Sequence, residues 1–155
     1  MLGWLERTAL TEAIRSSMWA YPALEIVHLL GLALLVGPAV LFDLRLLGAG
    51  RALPVRQAAA RLLPLARIGF SVAALSGALM FVTGANEFAG NPAFQLKIVL
   101  LAVAGVNVLV FNLGIYRSVR RWETGGSPTA ARAAAGISLA AWTAVVACGR
   151  LIAYV

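Results

Sequence analysis

Two residues that can exchange protons, Glu25 and His28, lie three positions apart inside a long apolar run from Tyr21 to Gly37. His28 is the only histidine in the chain. An ionisable pair inside a hydrophobic span is costly, so it marks a functional site by default. A lone imidazole can ligate haem iron, relay protons with the carboxylate, or form a hydrogen-bonded lock between helices. Two cations occur in other apolar runs, Lys97 and Arg150. Counting helical rise from each run's midpoint puts His28 about 9 Å, Lys97 about 10 Å and Arg150 about 12 Å toward the same side. Glu25 lies one turn further out. The spacing therefore predicts one polar pocket lined by Glu25, His28, Lys97 and Arg150. Gly31, next to the histidine on its helix, would give a flat ligand room. Two cations at that level suit haem propionates, a quinone head group or an anionic lipid; alternatively both snorkel to the interface.

The elements that must position these residues are membrane helices. The 155 residues are 61% hydrophobic and 12% charged, with mean hydropathy +0.88. Soluble domains carry about a quarter charged residues. Spans are predicted near 22–46, 65–85, 92–116 and 130–154, each close to the roughly 20 residues that cross a bilayer. Pro22 and Pro92 suit helix starts. Pro38 lies deeper, where it can kink the first span. The fold class is all-α: a transmembrane four-helix bundle forming a single domain over 1–155. Before it, Trp4, Leu5, Ala9, Ile14 and Met18 with interspersed charges predict a short amphipathic interfacial helix rather than a signal peptide. Gly136, Ala140, Ala144 and Cys148 recur every four residues and predict a close-packing face on the fourth span. Ala73 and Gly77 form a shorter pair of the same kind.

The net charge of +7 is distributed between the spans. Arg51, Arg56 and Arg61 lie between the first and second, with Arg45 and Arg67 flanking that stretch. Arg117, Arg120, Arg121 and Arg132 follow the third, against Glu123. This pattern sets topology and contacts anionic lipid; it offers no continuous basic face for nucleic acid. The positive-inside rule puts both arginine loops in the cytoplasm and both termini outside it.

A second polar layer lies at the arginine-rich end: Asp43, Arg45, Arg67, Asn112 and Arg117. It reads as structural, with Asp43 paired to Arg45 or Arg67. Asn107, in mid-span, reads as interhelical glue. Cys148 is alone, so no intrachain disulfide forms, and a zinc or copper centre built from several His and Cys ligands is not expected. No Walker motif, nucleophile elbow or dinucleotide fingerprint occurs. Haem held by His28 would be five-coordinate, take Met80 or Lys97 as second ligand, or be shared across a homodimer. Three function classes remain open: a haem-associated redox protein; a non-catalytic subunit or assembly factor binding a partner, lipid or quinone; and a small proton-linked transporter. The bilayer is the one certain partner, with a homodimer or larger membrane complex open.

The stretch Tyr21-Pro-x-x-Glu25-x-x-His28-x-x-Gly31, then Phe42-Asp-Leu-Arg-Leu-Leu-Gly48, resembles a family of small bacterial integral membrane proteins of no assigned activity. Asn91-Pro-Ala-Phe-x-Leu-Lys97 and Gly149-Arg-x-Ile-Ala-Tyr154 fit the same family, so the resemblance covers nearly the whole chain. It implies a bacterial inner-membrane location. More remotely, the chain is similar to CopD-like and HemJ-like membrane proteins, which place a histidine and a nearby glycine in an early span and a Leu-Lys pair at the start of a later one. HemJ-like proteins bind b-type haem and oxidise protoporphyrinogen; CopD-like proteins are linked to copper. The resemblance implies His28 as an axial ligand and Lys97 as the matching lysine. HemJ-like chains carry a further histidine after that lysine, where this chain has Asn107 and Asn112.

Overall fold

Uninterrupted apolar sequence satisfies its own backbone as helix, and helices dominate the structure, a computed structural model describing residues 3–50, 52–122 and 125–154. The Leu5 side chain, Arg51 and Glu123 lie outside the described residues. Two short helices, α1 (Gly3–Glu6) and α2 (Ala9–Ser16), precede four long ones. These are α3 (Ala20–Leu47), α4 (Val55–Val82), α6 (Pro92–Leu113) and α8 (Thr129–Leu151). Between them lie α5 (Ala85–Gly90), a 3-10 turn (Ile115–Ser118) and α7 (Val119–Trp122). All four long helices are apolar and long enough to cross a membrane, which makes this a multi-pass all-α membrane protein.

The helix ends follow local chemistry. Gly48 takes the left-handed conformation (φ 114°) that closes α3. Its N–H donates to Arg45 O, and the Ala49 N–H donates to Leu44 O at 2.9 Å, the two bonds of a Schellman cap. Asn91 opens α6: its Oδ1 accepts from the N–H groups of Ala93 and Phe94, ahead of Pro92 at the first helical position. The Asn91 amide also donates to Ile152 O at 3.2 Å, tying the start of α6 to the end of α8.

The second span differs from expectation. It starts at Val55, ten residues before the predicted Leu65. The arginines marked this stretch as a loop, yet Arg56 and Arg61 are exposed while Val55, Ala58 and Ala59 turn inward. One helix thus carries a charged face and a small-residue face. Pro64 is accommodated within it.

The helices pack in the order α4–α3–α8–α6, and direct contact between α4 and α6 is sparse. The chain therefore forms two hairpins, α3/α4 and α6/α8, joined along an α3–α8 seam. Helix α8 is central: 44% of its apolar window is buried, against 11% for α3 and for α6. Its inward face is Ala131, Ala134, Ala135, Ser138, Ala141, Trp142, Val145 and Cys148. The expected small-residue face was rotated from this. Cys148 is buried and Ala144 half-buried, but Gly136 and Ala140 are exposed, with nothing near Gly136. Four-residue spacing alone drifts around a helix of 3.6 residues per turn, and Trp142 needs the interior.

Two apolar clusters form the core. One, at the arginine-rich end, includes Phe42, Leu46, Val55, Ala58, Ala59 and Phe111. The other, at mid-height, includes Leu35, Ala66, Ala104, Ala141, Trp142 and Val145. At the opposite end, Phe81, Phe88 and Phe94 gather, with Phe81 and Phe94 stacked at 5.3 Å.

The N-terminal helices dock beside these aromatics. Thr8 caps α2 by accepting from Thr11 N–H. Thr11 and Ile14 are buried, while Trp4, Leu10, Met18 and Trp19 are exposed, so the segment is two-faced as expected. Ala9 lies on the exposed side. Glu6 accepts from the backbone N–H of Asn86 at 2.9 Å and from its side-chain amide at 3.2 Å. The Arg15 guanidinium donates to Thr83 O.

Candidate functional site

His28 is held by α4. Its Nδ1 lies 2.9 Å from Ala73 O and 3.1 Å from Ser76 Oγ. A backbone carbonyl only accepts, so Nδ1 carries the hydrogen. Ser76 spends its own hydrogen on Val72 O at 2.6 Å, leaving a lone pair for the imidazole. This fixes the tautomer and leaves Nε2 as the free nitrogen, without a hydrogen bond among the described residues. Gly77 makes the ring's position sterically available: a Cβ there would lie 3.0 Å from His28 Cε1.

The predicted pocket assembles only in part. His28 and Lys97 are within electrostatic reach of one another. Lys97 is half-buried against α8, where a Cβ on Gly149 would lie 3.5 Å from its Nζ, and it lies near the Cys148 thiol. Arg150 does not join them. It is exposed, and its guanidinium bends along its own helix to Tyr154, donating to the hydroxyl at 2.9 Å and sitting 5.2 Å from the ring centre. Glu25 is also exposed; it lies near Tyr21 and makes no hydrogen bond to His28. Helical spacing placed Glu25 above the histidine, but the imidazole turned to α4 instead. Met80 lies one turn beyond Ser76 on α4, half-buried.

Gly31 has a different role from the one expected. The space beside it is filled by α4: a Cβ there would lie 2.7 Å from Ala73 N. It lets two backbones meet and leaves no room for a ligand.

The second layer also departs from expectation. Asp43 is buried, at 6% exposure, and forms no ion pair among the described residues. Its carboxyl meets the Ser138 side chain of α8. Arg45 instead donates to Leu53 O, and Arg67 is exposed. The arginines point to the polar boundary, where their charge stays hydrated. Asn107 donates to Ala134 O at 3.0 Å, joining α6 to α8. Asn112 bonds only within α6, to Val108 O.

Sequence reasoning missed Ser76 and Ser138, and read Gly77 as a packing residue rather than as the seat of the imidazole. Hydroxyls in apolar helices were the available signal, since a buried hydroxyl needs a partner. Among the described residues no three of His, Cys, Asp and Glu gather to hold a metal ion.

Fold and site together define a class: a four-span helical membrane protein with one oriented imidazole within electrostatic reach of a lysine. Neither family models, nor curated proteins, nor solved structures gave a match to the chain.

Proposed function

We propose that this is a small haem-associated redox protein of the bacterial inner membrane, with His28 as axial ligand. The observation that carries the reading is the hydrogen bond from His28 Nδ1 to Ala73 O. Metal-bound histidines characteristically donate their second ring N–H to a carbonyl or carboxylate, which orients the ring and raises its basicity. A single oriented imidazole in an apolar bundle matches the donor set that haem requires. Haem, when bound, supplies one-electron chemistry. The chain's own residues do the rest. Ala73 and Ser76 orient the imidazole, Gly77 permits its close approach, and Lys97 offers positive charge for a carboxylate. The resemblance to haem-binding membrane proteins points the same way. Arginine placement orients both termini away from the cytoplasm.

The test is the visible spectrum of protein purified from haem-supplied cells. A Soret band is expected, lost in His28→Ala with the fold intact. A colourless, folded wild type that takes up no haem on titration overturns the reading. A non-catalytic subunit whose His28 and Lys97 address a quinone or an anionic lipid would then lead. Reporter fusions after Arg56 and Gly126 should report cytoplasm, and one at the C-terminus the opposite side.

A further inference from the structure

Asp43 lies in the last turns of α3, at the α3–α8 seam. Its Oδ2 is the buried side-chain oxygen that has no hydrogen-bond partner among the described residues. The polar side chain that the carboxyl meets on α8 is Ser138, itself 7% exposed. Phe42 and Leu46 flank it on α3, and Ala134 and Ala135 lie one turn from Ser138 on α8. At this end of the bundle, the charged groups that the described residues carry on the surrounding elements are arginines; Glu25, His28 and Lys97 lie toward the opposite end of α3 and α6. Arg45 on α3 donates to Leu53 O. Arg56, Arg61 and Arg67 on α4, Arg117, Arg120 and Arg121 after α6, and Arg132 on α8 are exposed. None forms an ion pair with Asp43 among the described residues. On α6, Asn107 and Asn112 are engaged with backbone carbonyls.

We propose that Asp43 is an exchangeable proton-binding site in the arginine-rich half of the bundle, occupied at neutral pH. A carboxylate buried among apolar side chains, with one oxygen unpaired and no ion pair among the described residues, is an uncompensated charge in low dielectric. The acid form removes the charge and leaves only an unpartnered hydroxyl, a far smaller cost. A metal cation is a poor alternative occupant, because hard cations take several oxygens and, among the described residues, Ser138 is the side-chain oxygen brought to the carboxyl. The proton sits on the boundary between the two hairpins, so its loss would place a charge in the α3–α8 seam. The inference stands apart from the haem reading and does not depend on it.

Asp43 is the only aspartate in the chain. Carbon-13 at the aspartate side-chain carboxyl, introduced by cell-free synthesis, therefore reports this one group in the unaltered protein. Isotope-edited infrared spectra in phosphatidylcholine bilayers are the measurement. At neutral pH the isotope shift is expected in the C=O stretch of a protonated acid. That band should move again in heavy water, and move in Ser138→Ala as the hydroxyl beside the carboxyl is lost. An isotope shift confined to carboxylate bands at neutral pH overturns the proposal. So does an acid band that never responds to heavy water, since the proton would not exchange. Replacing choline chloride with sodium chloride should change nothing; conversion to carboxylate by sodium would assign the site to a metal cation instead.

Discussion

Gly31 and Gly69 bring the backbones of α3 and α4 into direct contact: a Cβ on Gly69 would lie 2.8 Å from the Gly31 carbonyl oxygen. It would approach the Leu35 backbone nitrogen still more closely. Backbone cannot move aside as a flexible side chain can. Gly69→Ala should therefore destabilise the protein by roughly 1–3 kcal/mol, the usual cost of overpacking. Thermal unfolding in detergent would show a lower midpoint. Gly37→Ala is the control, because nothing lies within 4 Å of that position and α3 is otherwise unchanged. Equal midpoints for the two variants would refute the close contact.

Gly77 shapes the imidazole's seat without touching a backbone. A methyl there meets His28 Cε1 at 3.0 Å and Nδ1 at 3.4 Å. Gly77→Ala should leave the fold in place, displace the ring and weaken haem retention by about tenfold, or about 1.4 kcal/mol. Titration of the purified variant with haem checks this. Unaltered affinity would show that the ring's position against α4 is irrelevant to ligation.

Lys97 and Arg150 were expected to act together, and the structure separates them. Lys97→Ala should weaken retention of an anionic ligand by roughly tenfold, in line with loss of one charge-assisted contact. Arg150→Ala should leave it unchanged, because that guanidinium is engaged by Tyr154. Parallel binding titrations decide the matter; equal losses in both variants would restore the four-residue pocket.

Glu6 gives the N-terminal segment a pH dependence. The Asn86 backbone N–H holds its carboxyl below the usual carboxylate range, with the Asn86 amide and the Arg15 charge adding to the effect. The docked state therefore favours the charged form. Docking is complete above the carboxylate's ordinary pKa, about 4.3. It weakens as pH falls through the lower value of the docked state. Spin labels on Trp4→Cys and Glu87→Cys should give a narrow distance distribution at neutral pH and a broad one in acid. The Glu6→Gln variant should lose that response. A distribution indifferent to pH would remove Glu6 from the latch.

Much of this fold was legible because membrane helices declare themselves by length and hydropathy. The four spans follow from that signal; the lead-in follows from its alternation of apolar and charged residues, though it forms two short helices rather than one. The start of α4 did not, because Arg56 and Arg61 read as loop residues when each is simply on an exposed helix face. The approach of His28 and Lys97 was legible in part, since each comes within reach of the other's charge. Azimuth was not. Rise per residue fixes spacing along a helix, but only packing decides which way a side chain turns. That is why Glu25 and Arg150 missed the site. Asp43 was misjudged for a related reason. Its sequence neighbours are arginines, but its spatial neighbour is Ser138 across the seam.

The helices α3 and α4 are contiguous in the chain, and so are α6 and α8. Each pair can therefore close as it is synthesised, the first through Gly31 and Gly69 and the second through Asn107 and the Asn91–Ile152 bond. Assembly then reduces to one lateral docking of two finished units in the plane of the bilayer. Two fragments divided between Thr83 and Asn91 and made separately would already contain most of their own packing. What they would lack is the contact between them: the seam where Asp43 meets Ser138, the approach of His28 to Lys97 and the stacking of Phe81 on Phe94.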